Sequence, residues 1–271
     1  MKLPRPPDWL ILIGMVGGLV ALAVAGPWRA PDSPPAREPA PGAPLAPASL
    51  FDPAIWVNAP RAGPGAGTAF SVADRGVWLT ARHVVEGCRR AAIVTAPGHG
   101  VAAEVRLSAQ RETAVLITRG GAPALPIAPA GPLRRGLMAF HPGFPQGRPG
   151  EAASQLIRRA NLWVGGHGLR AEPVLTFAET ARRPGLRGAL TGISGAPVLD
   201  SAGEVLGVTV AEAPRRRRLY ATTPSSLRAA LAQAGVAPSA APGRKLTGAT
   251  LGAIADDLRA RLSIAEVVCL T

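Results

Sequence analysis

Gly192-Ile193-Ser194-Gly195-Ala196-Pro197-Val198-Leu199 decides how this chain is read, in concert with the earlier stretch Trp78-Leu79-Thr80-Ala81-Arg82-His83-Val84-Val85. A serine hydroxyl is a poor nucleophile at neutral pH and needs an imidazole within hydrogen-bond reach to take its proton. The apolar residues between Gly76 and Thr80 predict a buried strand that delivers His83 at its end, packed on one side and open to a cleft on the other. Gly192 and Gly195 permit backbone geometry that a Cβ would resist, so amides beside Ser194 can point at a developing oxyanion. Read alone, Gly-x-Ser-Gly is an ordinary turn and a single histidine is structural; the two together, in this order, describe one nucleophilic site.

Chain order separates the folds that could carry such a site. An α/β-hydrolase places its histidine after the serine, whereas His83, His99, His141 and His167 all precede Ser194. The subtilisin order needs an acid ahead of the histidine, and Asp74 sits in a polar turn. What remains resembles the trypsin-like serine protease superfamily, and within it the bacterial HtrA-type branch. The resemblance rests on Gly67-Thr68-Ala69-Phe70, Thr80 to Val85, Glu112-Thr113-Ala114-Val115-Leu116 and Gly192 to Pro197, with supporting similarity over 136–147 and 203–211 and at Ala221-Thr222-Thr223-Pro224. It covers about residues 51–235 and implies an all-β fold of two six-stranded antiparallel barrels dividing near Gly131.

The resemblance assigns His83, Glu112 and Ser194 as a triad, with the Gly192 and Ser194 amides as oxyanion donors. Glu112 stands where the family has Asp, and no Asp occurs between Gly76 and Leu199; Glu104 is the second candidate. The competing reading of Glu112 is a strand-end carboxylate paired in solvent with Arg111 or Arg106. Ile193 and Ala196 are further departures, and Ile193 cannot pair with a freed N-terminus, which argues against zymogen activation by that ion pair. The family's primary pocket wall corresponds to Gly188, Ala189 and Leu190, which carry no carboxylate and so predict small or medium apolar side chains in that pocket. Thr209, Val210 and Ala211 match the strand that pairs with an extended peptide, a form of β-augmentation. The alternative function is a catalytically weak or inactive peptide-binding module built on the same cleft.

Arg215-Arg216-Arg217-Arg218 follows at once, either as a solvated hairpin tip or as a cationic lip for acidic peptides or anionic headgroups. The net charge is +13, yet Lys2 and Lys245 are the only lysines and the Arg, Ala, Gly and Pro excess is spread along the chain. With so few aromatics there is no stacking platform, and no nucleic-acid partner is expected.

Four segments divide the 271 residues: a signal anchor or signal peptide (1–28), a Pro/Ala-rich linker (29–50), the trypsin-like domain (51–236) and a C-terminal extension (237–271). Residues 9–25 are apolar and uncharged, preceded by Lys2 and Arg5, which predicts a single pass through a bacterial inner membrane with the rest periplasmic. Ala23-Val24-Ala25 before Gly26 offers signal cleavage as the alternative. Either way the domain is exported. The linker predicts an extended spacer, the runs at 91–95, 101–107 and 113–118 predict strands, and 225–234 a helix. Near the C-terminus, Leu251-Gly252-Ala253 and the following residues resemble the opening of a PDZ domain that stops early; a helix packing Ile254, Leu258 and Leu262 on the barrel is the preferred reading. Cys88 and Cys269 would form one disulfide in an oxidising compartment or remain two buried thiols. Their spacing is not that of a metal site, and neither metal nor cofactor is expected.

Overall fold

A computed structural model describes residues 42–58, 65–165, 170–237, 239 and 241–270. The apolar segment 9–25, the cleavage site and the first part of the linker lie outside the described residues, as does His167. Among the described residues no helix is long and apolar enough to cross a membrane.

In chain order the strands are β1 (Ala54–Asn58), β2 (Gly65–Ala73), β3 (Val77–Ala81), β4 (Arg90–Ala96), β5 (His99–Leu107), β6 (Thr113–Thr118), β7 (Met138–Gly143), β8 (Gly150–Gly165), β9 (Arg170–Arg182), β10 (Pro197–Leu199), β11 (Val205–Ala213), β12 (Arg218–Thr222) and β13 (Ile264–Leu270). Among the described residues three α-helices join them: α1 (Arg82–Val85), α2 (Pro224–Gln233) and α3 (Leu251–Ala260). The apolar runs read as strands fall in β4, β5 and β6. Helix α2 begins one residue ahead of its predicted start because Pro224 occupies the first helical position and Thr223 caps it, its side chain accepting the Ser226 amide.

The fold is a closed six-stranded barrel, ordered β13-β2-β3-β6-β5-β4, and a second, seven-stranded sheet, β1-β8-β7-β10-β11-β12-β9, with a further β8–β9 pairing. Their inner faces fill separately, the barrel with Trp78, Ile93, Leu116 and Val267 and the sheet with Leu156, Phe177, Ile193 and Leu219. A third cluster packs Phe70, Leu79 and Val115 of the barrel against Phe140, Leu199 and Val208 of the sheet. Each such side chain removed from water stabilises by about 1.5–3 kcal/mol. The ends of β3, β6 and β11 therefore meet across a rigid seam, and that seam positions the candidate site.

The C-terminal segment differs from the expected extension. Helix α3 does pack on the core through Leu251, Ile254 and Leu258, but Leu262 lies beyond it with a left-handed φ of 59°. The chain then enters the barrel: β13 pairs antiparallel with β2, Ile264 opposite Phe70, and with β4, Val267 opposite Ile93. Ile264 and Val267 are fully buried. Cys88 and Cys269 are joined by a disulfide that fastens this strand to the turn after α1.

The linker also departs from a free spacer, from Gly42 onward. The Gly42 and Leu45 amides donate to the Arg135 and Leu133 carbonyls, Arg159 Nε donates to Ala46 O, and Asn161 Nδ2 donates to Ser49 O. A Pro/Ala chain cannot make a core, but its carbonyls remain good acceptors along an existing sheet.

Candidate active site

Glu112 sits at the entry to β6, directly across from the β3–α1 junction, because Ala81 pairs with Thr113. The Arg82 amide donates to Glu112 O, so the backbone of the carboxylate and that of the histidine are tied before their side chains meet. Glu112 Oε1 lies 2.8 Å from His83 Nδ1 and accepts the His83 backbone amide at 3.1 Å. The extra methylene relative to Asp is absorbed by this reach, which puts one oxygen on both groups. Glu112 is buried, whereas the His83 side chain keeps 18% exposure, leaving its far edge open to the cleft. Glu104, the second candidate, is an exposed partner of Arg106, and Arg111 turns to Ser226 Oγ and Glu172.

Behind Glu112 stands Glu172, a buried carboxylate on β9 that the sequence reading did not single out. Its Oε2 accepts the Glu112 amide at 3.2 Å. Burial raises its pKa, opposed by the hydrogen bonds from Ser226 and the Glu112 amide. The signal for it was an acid directly ahead of the apolar run Pro173-Val174-Leu175.

Ser194 is brought to the same place by β2. The Thr68 amide donates to Ser194 O at 2.8 Å, and Gly67 is wedged between Val84 and that carbonyl, so closely that a Cβ would lie 2.6 Å from the Val84 side chain. Among the described residues no hydrogen bond joins the Ser194 hydroxyl to the His83 ring. The surrounding amides are informative. Ile193 N donates to Leu190 O, Gly195 N to Thr209 O and Ala196 N to Ile193 O. Gly192 N and Ser194 N have no acceptor among the described residues. Gly192 owes its orientation to the loop after β7: Gln146 N donates to Thr191 O at 2.5 Å, and Thr68 Oγ1 donates to Gly192 O. At φ 97°, a Cβ on Gly192 would also meet Phe144 O at 2.6 Å.

That loop has supports that no local sequence pattern announced. Gln146 adopts a left-handed conformation (φ 58°), which costs about 1–3 kcal/mol outside glycine, and its side chain donates to the Arg187 and Ala189 carbonyls. Arg259 of α3 is buried beneath; it donates to Gly143 O, Gly150 O and Glu151 Oε2. The C-terminal helix thereby steadies the loop that aims the Gly192 amide.

The predicted pocket wall is only partly a wall. Gly188 is exposed and Ala189 half-buried, but the Leu190 side chain lies in the core of the second sheet while its amide donates to Glu212 Oε2. Burial raises the Glu212 pKa, the Leu190 hydrogen bond working against it. Thr209 and Val210 are likewise buried through their side chains, leaving only backbone for a peptide. From Val210 to Ala213, β11 has β12 on one edge and, among the described residues, no strand on the other. Ile193 fills the sheet core, which explains an apolar residue beside Ser194.

His141 lies within the same seam, fully buried, with Nδ1 2.9 Å from Thr209 Oγ1 and Nε2 2.8 Å from Ser154 Oγ. Burial lowers its pKa from 6.5 to about 3. The unfolded chain therefore binds a proton that the folded chain refuses between those values. This contribution is fully present above pH 6.5 and is lost as pH falls toward 3, with a slope of about 1.4 kcal/mol per pH unit. Glu172, Glu212 and Glu266, raised by burial, act with the opposite sign above their ordinary range. The His141→Gln variant is expected to lose less stability than the parent between pH 7 and pH 5 in urea unfolding; equal losses would remove this account.

Comparisons with known proteins agree with the geometry. The model of the trypsin-like peptidase domain family matches residues 67–208, more than half of the chain. A search of curated proteins finds no significant match. Among solved structures, the active form of the Rv3671c protease from M. tuberculosis is 20% identical with a TM-score of 0.51, covering 75% of this chain and 99% of that one. Its inactive form is 22% identical with a TM-score of 0.51, covering 64% and 87%. The HtrA-type protease AlgW, solved with a decapeptide, is 17% identical with a TM-score of 0.50; the match covers 63% of this chain and 52% of AlgW. At such identities these neighbours share the fold. The family match, which spans residues 67–208, makes the chain a member of the trypsin-like peptidase domain family.

Proposed function

We propose that the chain is an exported, membrane-anchored serine endopeptidase that cleaves peptide bonds through an acyl-enzyme. The observation that carries this reading is the His83–Glu112 pair together with two amides, Gly192 and Ser194, that have no acceptor among the described residues while their neighbours do. In this mechanism Ser194 Oγ attacks the peptide carbonyl as His83 Nε2 takes its proton, and Glu112 holds the ring in the required tautomer. The oxyanion accepts from the Gly192 and Ser194 amides. Collapse of the tetrahedral species passes the proton to the leaving amine, and water repeats the sequence to release the acid. The open edge of Val210–Ala213 supports pairing with an extended substrate. Glu212 is already engaged by the Leu190 amide, and Gly188 and Ala189 support a preference for small apolar side chains. Residues 9–25 supply the anchor, with the domain on the periplasmic face.

The second reading, a binding module without turnover, is favoured by one observation: the missing hydrogen bond between Ser194 and His83. Such bonds in free enzymes are commonly long and tighten on substrate binding. A fluorophosphonate probe decides the matter. Labelling of the folded chain that disappears in Ser194→Ala supports the peptidase; a folded chain that takes no label is a binder.

A further inference from the structure

The three most exposed large apolar side chains among the described residues lie within seven positions, where the linker reaches the domain. Leu50 and Phe51 are 93% and 98% exposed, and Trp56 on β1 is 67% exposed, stacked on Trp163 of β8 at 5.4 Å between centroids. The turn that carries Leu50 and Phe51 is fixed, because Asn161 Nδ2 donates to Ser49 O and lies 3.4 Å from Leu50 O and Asp52 O. These residues are therefore presented to solvent by a braced backbone. Trp56 also forms one wall of an open groove whose other wall is Ala213, Pro214, Arg215 and Arg216. Arg217 pairs with Glu179, but Arg215 and Arg216 are exposed and have no ion pair among the described residues.

Contiguous exposed apolar groups mark a binding surface. Tryptophan bordered by arginine suits one medium above others, the boundary between lipid tails and anionic headgroups. The length of chain ahead of the domain points the same way. Between the apolar segment 9–25 and Gly42, the first described residue, lie residues 26–41, which span about 50 Å as a polyproline-type spacer and at most about 58 Å fully extended. Phe51 follows shortly after the bonded run begins. The tether thus arrives beside the patch.

We propose that Leu50, Phe51, Trp56 and Trp163 seat in the interface of the bilayer holding the N-terminal segment, with Arg215 and Arg216 against the phosphates of anionic lipids. This rests on the anchor reading above. Ala213 ends the open edge of β11 and adjoins Arg215, so docking holds one end of the cleft at the lipid surface and favours membrane-proximal substrates.

The test uses the full chain in phosphatidylcholine vesicles with or without phosphatidylglycerol. Brominated lipids quench tryptophan on contact, and the difference between wild type and Trp56→Phe isolates Trp56. The expected result is quenching of that component with phosphatidylglycerol present, weakened by salt and by about fivefold in interfacial partitioning for each of Arg215→Ser and Arg216→Ser. An unquenched Trp56 component in chain that survives alkaline carbonate overturns the docking and leaves the anchor intact. If carbonate strips the chain, the anchor reading fails, and flotation of the released chain with the same vesicles tests the patch directly: failure to float overturns it. Should the arginine variants raise KM for acidic peptides in detergent without changing quenching, the groove is a peptide subsite and the proposal is wrong. Protection of Trp56 that depends on protein concentration, with crosslinks between copies, overturns it in favour of a dimer.

Discussion

Glu112→Gln is expected to lower kcat by about 10⁴-fold with little change in KM, the penalty for losing the carboxylate that orients a catalytic histidine. The geometry explains why a near-isosteric change is so costly. Oε1 accepts the His83 backbone amide and also faces Nδ1. A glutamine can keep its oxygen on the backbone, but nothing then compels Nδ1 to carry the proton, and an amide N–H turned toward the ring selects the tautomer whose Nε2 cannot accept from serine. Neither the Thr68 contact to Ser194 nor the Gly192 and Ser194 amides depend on this charge, so substrate affinity is expected to persist. Steady-state kinetics on a peptide ester and a peptide amide check the result. A variant with parental kcat would mean that Glu112 is a structural carboxylate.

Removal of β13 is expected to abolish cooperative unfolding of the barrel. Truncation after Ser263 discards the buried side chains of Ile264 and Val267, worth about 1.5–3 kcal/mol each, and opens the edges of β2 and β4 where both had been paired. It also removes a disulfide, whose loss costs about 2–5 kcal/mol. Against a typical margin of about 5–15 kcal/mol, little remains. The milder Cys269→Ala variant keeps the strand and isolates the crosslink; it is expected to unfold at lower urea concentration with a steeper slope, because the denatured chain without the 181-residue crosslinked loop is more expanded. Near-UV circular dichroism and urea titration distinguish the two. A truncated chain with parental unfolding would show that the five remaining barrel strands suffice.

Candidate site residues marked by a local pattern were legible in the sequence. Glycines around Ser194, an apolar run ending in His83 and an acid at the head of the next strand each announce themselves within a few positions. The strands did so as well, since alternation and β-branched composition are local. What escaped was everything settled by distant partners. Ile264 to Leu270 has strand composition, but no neighbouring residue says that it closes a barrel begun at Gly65. Glu172 carries only the oddity of an acid directly ahead of an apolar run, and Gln146 and Arg259 carry no mark at all, because their roles consist of hydrogen bonds to backbone far along the chain. Pro and Ala in the linker predicted an extended spacer and gave no hint that the carbonyls from Ala43 to Asp52 would find donors on the sheet.

A cystine spanning 181 residues of sequence separation has a consequence for the order of events during biosynthesis. The imidazole emerges from the ribosome early, yet the scaffold around it cannot shut until residues 264–270 have followed, and such distant closure is slow. On the peptidase reading proposed above, a nascent polypeptide of this design gains hydrolytic competence only once β13 has arrived to close the barrel.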